Sequence, residues 1–269
     1  VPGLSRDTAY SQKVNLPRSI AEQKQIASML SSLDDKIELN RKMNQTLEKV
    51  GKALFKHWFV DFNFPDKDGK PYKSSGGKMV DNKFGEIPKG WEVSTVGEYL
   101  EIFDSQRIPL SGRERAERQG VYRYYGAIGV MDYIDDFIFN GAYLLLREDG
   151  RVTRSGGLPY TQYVWGQFWV NNHAHVLQGK KPFSTEFMKL FFDTTIISSY
   201  VTGAVQAKLN QANLKSIPLI VPEENLVGEF GKFISPLFTL LRKNEDELNL
   251  LTRIRDSLLP RLMSGRLRA

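Results

Sequence analysis

From Glu22 to Phe59 the chain contains no proline and a single glycine, Gly51. Within that stretch apolar side chains recur in alternating steps of four and three, at Ile26, Leu30, Leu33 and Ile37, and the seam resumes at Leu47, Leu54 and Trp58. That spacing is the heptad seam of a long helix. Ser19-Ile20-Ala21-Glu22 has the spacing of a capping box at its start, with Pro17 just outside. A helix of about 40 residues extends about 60 Å. It is too long for its apolar stripe to be covered by an ordinary globular core, so it demands a partner helix along its length.

The chain supplies a candidate partner. Pro222 is a favourable residue for opening a helix. A second seam follows through Phe230, Ile234, Leu237, Leu241, Asn244, Leu248, Leu251, Leu258 and Leu262, with Gly265 as a plausible stop. Pro236 lies inside it and is expected to kink or split the helix. The two seams superimpose at an offset of 204 positions: Phe230 on Ile26, Ile234 on Leu30, Leu237 on Leu33, Leu241 on Ile37 and Leu251 on Leu47. Asn244 then falls on Asn40, an asparagine in the same place in both seams. A seam asparagine sacrifices stability but fixes register and partner, because it needs a polar group opposite. Asn40 and Asn244 are therefore expected to set helix register. The two helices are expected to pack on each other in antiparallel fashion, or on the same helices of a second copy.

Between the helices the pattern changes. Residues 63–90 are rich in turn formers, as in Phe64-Pro65-Asp66-Lys67-Asp68-Gly69 and Ser74-Ser75-Gly76-Gly77, and read as a linker. From Trp91 to Val221, β-branched and aromatic runs alternate with glycines. Tyr143–Leu146, Tyr163–Trp165, Phe168–Val170, His175–Leu177 and Ile217–Val221 read as strands. Ser184–Ser199 reads as a helix with a second capping-box spacing, and Leu209–Lys215 as a turn or short helix. The fold class is α+β: one irregular mixed α/β domain, 91–221, flanked by long helices at 17–62 and 222–265 that pack as an antiparallel coiled coil.

Lys and Arg outnumber Asp and Glu by 37 to 31, a net charge of +6, which weakly favours a polyanionic partner. The absence of cysteine excludes disulfides, thiolate nucleophiles and zinc–thiolate sites. No run approaches the length of a membrane span, and Val1 to Arg6 lacks the order of a signal peptide. A cytoplasmic protein with no membrane contact is expected. Val1 in place of Met is what a processed or truncated chain would show.

Catalytic chemistry is hard to find. His173 and His175 stand two apart on a predicted strand and would face one way, which suits a metal. No partnering carboxylate is evident nearby, so a packed or hydrogen-bonded turn is the preferred reading and no metal site is assigned. Pro65-Asp66 with Asp68-Gly69-Lys70 faintly resembles a nuclease metal motif, but its halves are too close to occupy neighbouring strands. The same aspartates begin like an EF-hand, without a glutamate at the twelfth position. Gly76-Gly77-Lys78-Met79 lacks the hydroxyl residue of a phosphate-binding loop. The Asn/Asp-Pro-Pro-aromatic motif of amino-methyltransferases is absent. No catalytic residue is assigned.

Basic residues are more suggestive. Arg107, Arg113, Arg115, Arg118 and Arg123 crowd one segment ahead of Tyr124 and Tyr125, and Arg147, Arg151 and Arg154 crowd another. Such groups contact phosphates, while a few Arg or Asn side chains read bases. Interleaved acids (Glu114, Glu117, Glu148, Asp149) leave a solvated surface as the alternative. Asn171 and Asn172 suit adenine edges or the cap of a turn. Gln206 and Lys208, in a glycine-led loop, complete the DNA-binding candidates.

Taken in order, several phrases resemble the specificity subunits of type I restriction–modification systems. Glu22–Ala27, Arg41–Glu48 and Ala53–Phe59 look like a conserved spacer helix. Gly85-Glu86-Ile87-Pro88-Lys89-Gly90-Trp91 resembles the opening of a target recognition domain. Tyr124–Ala127, Gly141–Leu145 with Glu148–Gly150, and Trp169–Val176 are similar to its internal motifs. Gly203, Gln206, Lys208–Asn210 and Leu214–Pro218 resemble its exit, and Leu258–Gly265 the close of a second spacer. Gly3–Ser11 looks like only the last loop of a preceding recognition domain, so residues 1–16 are read as a remnant and the chain as a half-subunit or fragment. The resemblance implies a non-catalytic subunit that reads one half of a bipartite site on double-stranded DNA. It also implies docking to methyltransferase (modification) subunits and a restriction/translocase subunit, and a homodimer of halves. S-adenosylmethionine, ATP and Mg would bind those partners, and this chain would hold no cofactor. The competing readings are a coiled-coil scaffold that ignores DNA and a metal-dependent nuclease.

Overall fold

The computed structural model of the chain describes residues 5–11, 17, 19–203 and 206–264. The helices are α1 (Arg6–Tyr10), α2 (Ile20–Phe55), α3 (Val96–Tyr99), α4 (Gly112–Glu117), α5 (Thr185–Thr194), α6 (Gln211–Ser216) and α7 (Glu224–Met263). The strands are β1 (Met79–Asn82), β2 (Gly85–Pro88), β3 (Glu92–Thr95), β4 (Leu100–Ile102), β5 (Gln119–Tyr125), β6 (Val130–Ile134), β7 (Phe139–Asn140), β8 (Tyr143–Arg147), β9 (Thr161–Val164), β10 (Gln167–Val170), β11 (Ala174–Gly179) and β12 (Pro218–Val221). The chain divides into two compact units, 1–47 with 239–269 and 48–238. The mixed α+β class and the long helix at each side agree with the sequence.

The first unit is built from the N-terminal part of α2 and the C-terminal part of α7. Glu22 donates its amide to Ser19 Oγ at 3.4 Å, the first half of the predicted cap. The seam faces inward: Ile26, Ile37, Asn40, Asn44 and Asn244 are buried, while Leu30, Leu33, Leu47, Leu241, Leu248 and Leu251 are half-buried. Hydrogen bonds pair rising positions of α2 with falling positions of α7. Arg255 donates to Asp34 at 2.9 Å, Asn40 Nδ2 to Glu247 at 2.9 Å, and Asn44 Nδ2 to the Leu241 carbonyl at 3.3 Å. Asn244 Nδ2 donates to Asn44 Oδ1 at 3.0 Å, so two seam asparagines are joined across the helices. The Asn40 amide, seconded by Lys36, holds the Glu247 carboxyl below its ordinary value. The segment read as a leftover loop contains α1, an exposed helix capped by Ser5. Gly265 lies outside the described residues.

Two expectations about helices need correction. α7 does not split at Pro236. Pro236 and Lys232, whose carbonyl loses its amide partner, are both exposed, so water can take that carbonyl. α5 ends at Thr194 rather than 199, where the β-branched run Thr194–Ile197 begins. Its cap is Ser184 alone, because the residue that closes the turn is Phe187, which has no carboxylate to return the bond.

The second unit is layered. A four-stranded antiparallel sheet, ordered β4-β11-β8-β9, carries α5 on one face and a second sheet on the other. That second sheet is ordered β6-β5-β10-β7, with β10 parallel to β5. Alternation along β8 shows why the run is apolar throughout. Leu144 and Leu146 join the main core with Phe183, Phe187 and the aromatics Phe55, Trp58, Phe59 and Phe230. Tyr143 and Leu145 join the core between the sheets with Phe139, Phe168, Val170 and Val176. A strand buried on both faces reads as a continuous apolar run. Tyr124, Ile134 and Trp169 form a third, smaller cluster on the far side of the second sheet.

Residues 63–90 are not a linker between bodies. Phe64 stacks on Trp91 at 5.0 Å and Tyr72 stacks on Phe64 at 4.6 Å, while β1 and β2 form a hairpin that buries Ile87. Turn residues dominate the segment, but its three aromatic and apolar anchors tie it to the core. The second compact unit, 48–238, includes this segment.

The hydrogen bond from Asn244 to Asn44 yields a test. Asn44→Ala leaves the Asn244 amide buried without its acceptor and should cost about 1–3 kcal/mol, measured by chemical denaturation. The double change Asn44→Leu with Asn244→Leu should recover that loss or exceed it, since both partners are replaced together.

Candidate nucleic-acid interface

One rim of the second unit gathers four loops. β5 and β10 are parallel and end together at Tyr125 and Val170. β8 ends opposite the start of β11, with Arg147 across from Ala174. The loops 126–129, 148–160 and 171–173 therefore leave from these strand ends. They are stitched to one another and to the exit segment at Lys208 and Leu209. The Asn171 amide donates to the Tyr125 carbonyl at 3.0 Å, and the Glu148 amide to the His173 carbonyl at 3.0 Å. His173 Nδ1 meets Asp149 Oδ2 at 2.8 Å. The Leu209 amide donates to the Glu148 carbonyl at 2.8 Å, and Asp149 forms an isolated bridge with Lys208.

Beneath the rim lies a buried charged network. His175 is fully buried; its Nδ1 is 2.6 Å from Asp104 Oδ2 and its Nε2 is 2.7 Å from the Leu209 carbonyl. Asp104 also accepts from the Val176 amide at 2.9 Å and from Gln211 Nε2 at 2.7 Å. Arg107 donates to Glu148 Oε2 at 2.8 Å and to the Ala174 carbonyl at 2.6 Å, and Lys208 reaches Glu148 Oε1 at 3.3 Å. Burial alone would raise the Asp104 carboxyl. The His175 hydrogen bond and charge, the Val176 amide and Arg107 outweigh it and hold the group below its ordinary value. Both ring nitrogens of His175 thus face oxygen acceptors, the Asp104 carboxylate and the Leu209 carbonyl.

Asp104, Glu148 and His175 bring three potential ligand atoms within 4.8 Å. The donor set does not suit a cation. Both ring nitrogens are spent on oxygen acceptors, both oxygens of Asp104 take N–H donors, and Glu148 is neutralised by Arg107 and Lys208. The sequence reading missed these carboxylates, which lie 71 and 27 positions from His175. It also put His173 and His175 on one face. His173 lies in the turn before β11, half exposed, while His175 points into the core.

The DNA-contact candidates separate by burial. Tyr124 and Tyr125 are buried, and the Tyr124 hydroxyl accepts from the Leu110 amide. Arg107 is spent in the network, with a side chain 12% exposed. Asn171 is buried as a turn cap, its Oδ1 taking the His173 amide at 2.9 Å. These four are interior groups because aromatic bulk and convergent acceptors pull them inward. Arg123 is half-buried and donates to the Tyr125 hydroxyl at 3.4 Å. In the first arginine cluster, Arg115 lies over the Tyr124 ring and Arg118 over the Trp169 ring, fastening α4 to the sheet. Arg113 is 89% exposed and paired with Glu117, on a helix that leads into β5 at the end remote from the rim. Arg151, Arg154, Asn172, Gln206 and Lys208 are exposed on the rim loops. Arg147 is half-buried, bonded to the Asp149 carbonyl, and shares the Tyr160 ring with Arg154. The nuclease-like aspartates form a turn: Asp66 Oδ1 accepts the amides of Asp68 and Lys70.

Comparison with known proteins agrees with this architecture. The family model for the type I restriction modification DNA specificity domain matches residues 2–49 and 88–253. The type I restriction enzyme MjaIX specificity subunit of Methanocaldococcus jannaschii is 28% identical over 99% of this chain and 63% of its own length. The HindI specificity subunit of Haemophilus influenzae is 24% identical over 98% of this chain and 71% of its own length. A crystal structure of a type I restriction–modification S subunit from M. genitalium shares the fold, with a TM-score of 0.54 at 19% identity, over 91% of this chain and 61% of that one. The chain thus spans roughly two thirds of the relatives it matches. Among the described residues no helix is long and apolar enough to cross a membrane.

Asp104→Ala should cost about 3–5 kcal/mol by stranding the buried His175, read as a lowered denaturation midpoint. Because the folded carboxyl sits below its unfolded value, its stabilisation is present above the ordinary carboxylate range and is lost as pH falls through the folded value. Acid denaturation of the wild type should therefore be steeper than that of Asp104→Asn. By its match to the family model, the chain belongs to the type I restriction modification DNA specificity family.

Proposed function

We propose that this chain is a non-catalytic specificity subunit whose second unit is a target recognition domain reading one half of a bipartite site on double-stranded DNA. The observation that carries this reading is the rim. Its exposed basic and amide side chains, Arg151, Arg154, Asn172, Gln206 and Lys208, stand on loops fixed by a buried network, in a chain of a DNA specificity family. Arginines and lysines there supply phosphate contacts, and amides supply base contacts. Arg113 and Arg123 are secondary contacts. Methyl transfer and ATP-driven cleavage belong to modification and restriction subunits, which bring S-adenosylmethionine, ATP and Mg. The protein works in the cytoplasm.

The long helices are spacers. We read their apolar seams as an antiparallel coiled coil, registered by Asn40, Asn44 and Asn244, whose outer faces dock the partner subunits. Residues 17–62 and 222–265 are the two spacers, 91–221 the recognition segment, and 1–16 the end of a preceding one. A dimer of such chains would bring two recognition domains together, with dimer geometry setting the distance between half-sites.

Phosphate contacts predict a salt signature. Duplex binding by the chain with its modification subunit should weaken linearly in log–log form with salt. Arg151→Ala with Arg154→Ala should lower the slope by about two and the affinity at least about tenfold. Salt-independent or undetectable binding would leave the scaffold reading in its place. A dimer of halves should give a symmetric gapped motif when methylated sites are sequenced from cells holding this chain and its modification subunit. An asymmetric motif would exclude it.

A further inference from the structure

The turn between β5 and β6 is out of character with the rim around it. From Tyr124 to Met131 no residue carries a charge, and Ile128 at its tip is 72% exposed, with Met131 at 55% and Val130 at 42%. Three exposed apolar side chains thus stand together on an otherwise polar rim, and such a patch is a candidate contact surface.

The turn is also held in place. The Gly126 amide donates to the Gly129 carbonyl at 2.8 Å and closes it. The Gly126 carbonyl accepts from Gln162 Nε2 at 3.0 Å. Met131 folds so closely over Gly126 that a Cβ there would run into its side chain, and Asn171 Nδ2 reaches Met131 Sδ at 3.5 Å. Asn171 in turn caps His173, which meets Asp149 beside the Lys208 strand. The apolar tip is thus anchored to the same loops that carry the exposed cations.

We propose that Ile128 is a specificity-determining residue: the turn acts as an apolar finger that packs on a thymine methyl or a base step of bound duplex. The assignment rests on the reading of the rim as a DNA interface. Duplex DNA offers apolar surface at thymine methyls in the major groove and at base steps opened by wedging side chains. The surrounding cations and amides match phosphates and base edges. A protein partner fits less well, because the cores of protein interfaces are depleted of charged residues.

The test compares methylated-site maps and duplex competition for the full chain with its modification subunit, in wild type, Ile128→Ala and Val121→Ala. Val121 is a similarly exposed aliphatic, 73%, at the start of β5. Ile128→Ala should keep methylation but relax one or two positions of the half-site, cutting preference for the wild-type base there about tenfold. Val121→Ala should leave the motif intact. An unchanged motif in Ile128→Ala, with Arg151→Ala still weakening duplex binding, would overturn the role of Ile128 alone. Loss of the modification subunit from Ile128→Asp with duplex binding unaltered would make the turn a protein contact and overturn the assignment. Absence of duplex binding by the wild-type complex would overturn both readings.

Discussion

The buried pair of Asp104 and His175 is the interaction on which the rim of the second unit depends. An ionised carboxylate in a protein interior is tolerated only when its lone pairs are met. Here they are met by the Val176 amide, His175 and Gln211. These partners come from β11 and α6, while Asp104 follows β4, so one charge joins three segments distant in sequence. His175 extends the chain to the Leu209 carbonyl in the exit loop. Arg107 extends it to Glu148 and so to the loop after β8. Loops that would otherwise move independently are thereby given one geometry. That is what base reading requires, since a bidentate contact is selective only when the side chain cannot shift to accommodate the wrong base.

The same logic operates in the first unit with neutral groups. Leucine at every seam position would bind more tightly but would accept sliding by a heptad. Asn244 reaches Asn44 only in one register, and Asn40 finds Glu247 only in that register. In the second unit, Asp193 is buried against Lys189 at 2.5 Å and Lys52 at 3.1 Å, with Thr161 donating at 2.7 Å. Lys52 lies in α2, so the aromatic packing of Phe55 and Phe59 against Phe187 is accompanied by an ion pair that fixes the rotation of that helix segment on α5. Charged and amide groups are thus placed where apolar packing alone would permit more than one arrangement.

What was legible in the sequence follows from the range of each signal. Periodicity is local, so the long helices, the strand at Tyr143–Arg147 and the seam asparagines could be read directly. Charge proximity is not local. Asp104, Glu148 and His175 meet only after the sheet has formed, and nothing in their spacing announces it. Arginine clustering misled for a related reason. Arg107, Arg115 and Arg118 look like a basic surface in one dimension, yet each finds a carboxylate or an aromatic ring across the fold. Tyr124 and Tyr125 alternate into two different cores, which a strand with both faces covered permits and a reading based on surface chemistry does not anticipate. The segment 63–90 looked structureless because turn residues outnumber its anchors, although Phe64, Tyr72 and Ile87 suffice to hold it.

Burial then acts as a filter on function. Once interior pairs are removed from the basic and amide residues, what stays exposed at the rim is a short set on four loops, with Ile128 among them. The interior network consumes the groups with the strongest electrostatic capacity, including a cluster with the composition of a metal site, and turns them to positioning. The exposed groups left on the rim are long or apolar: on the proposed reading, Arg151 and Arg154 meet the phosphate backbone, Asn172 and Gln206 meet base edges, and Ile128 meets the apolar surface between them. The fold therefore separates a rigid charged network below from exposed contact groups above.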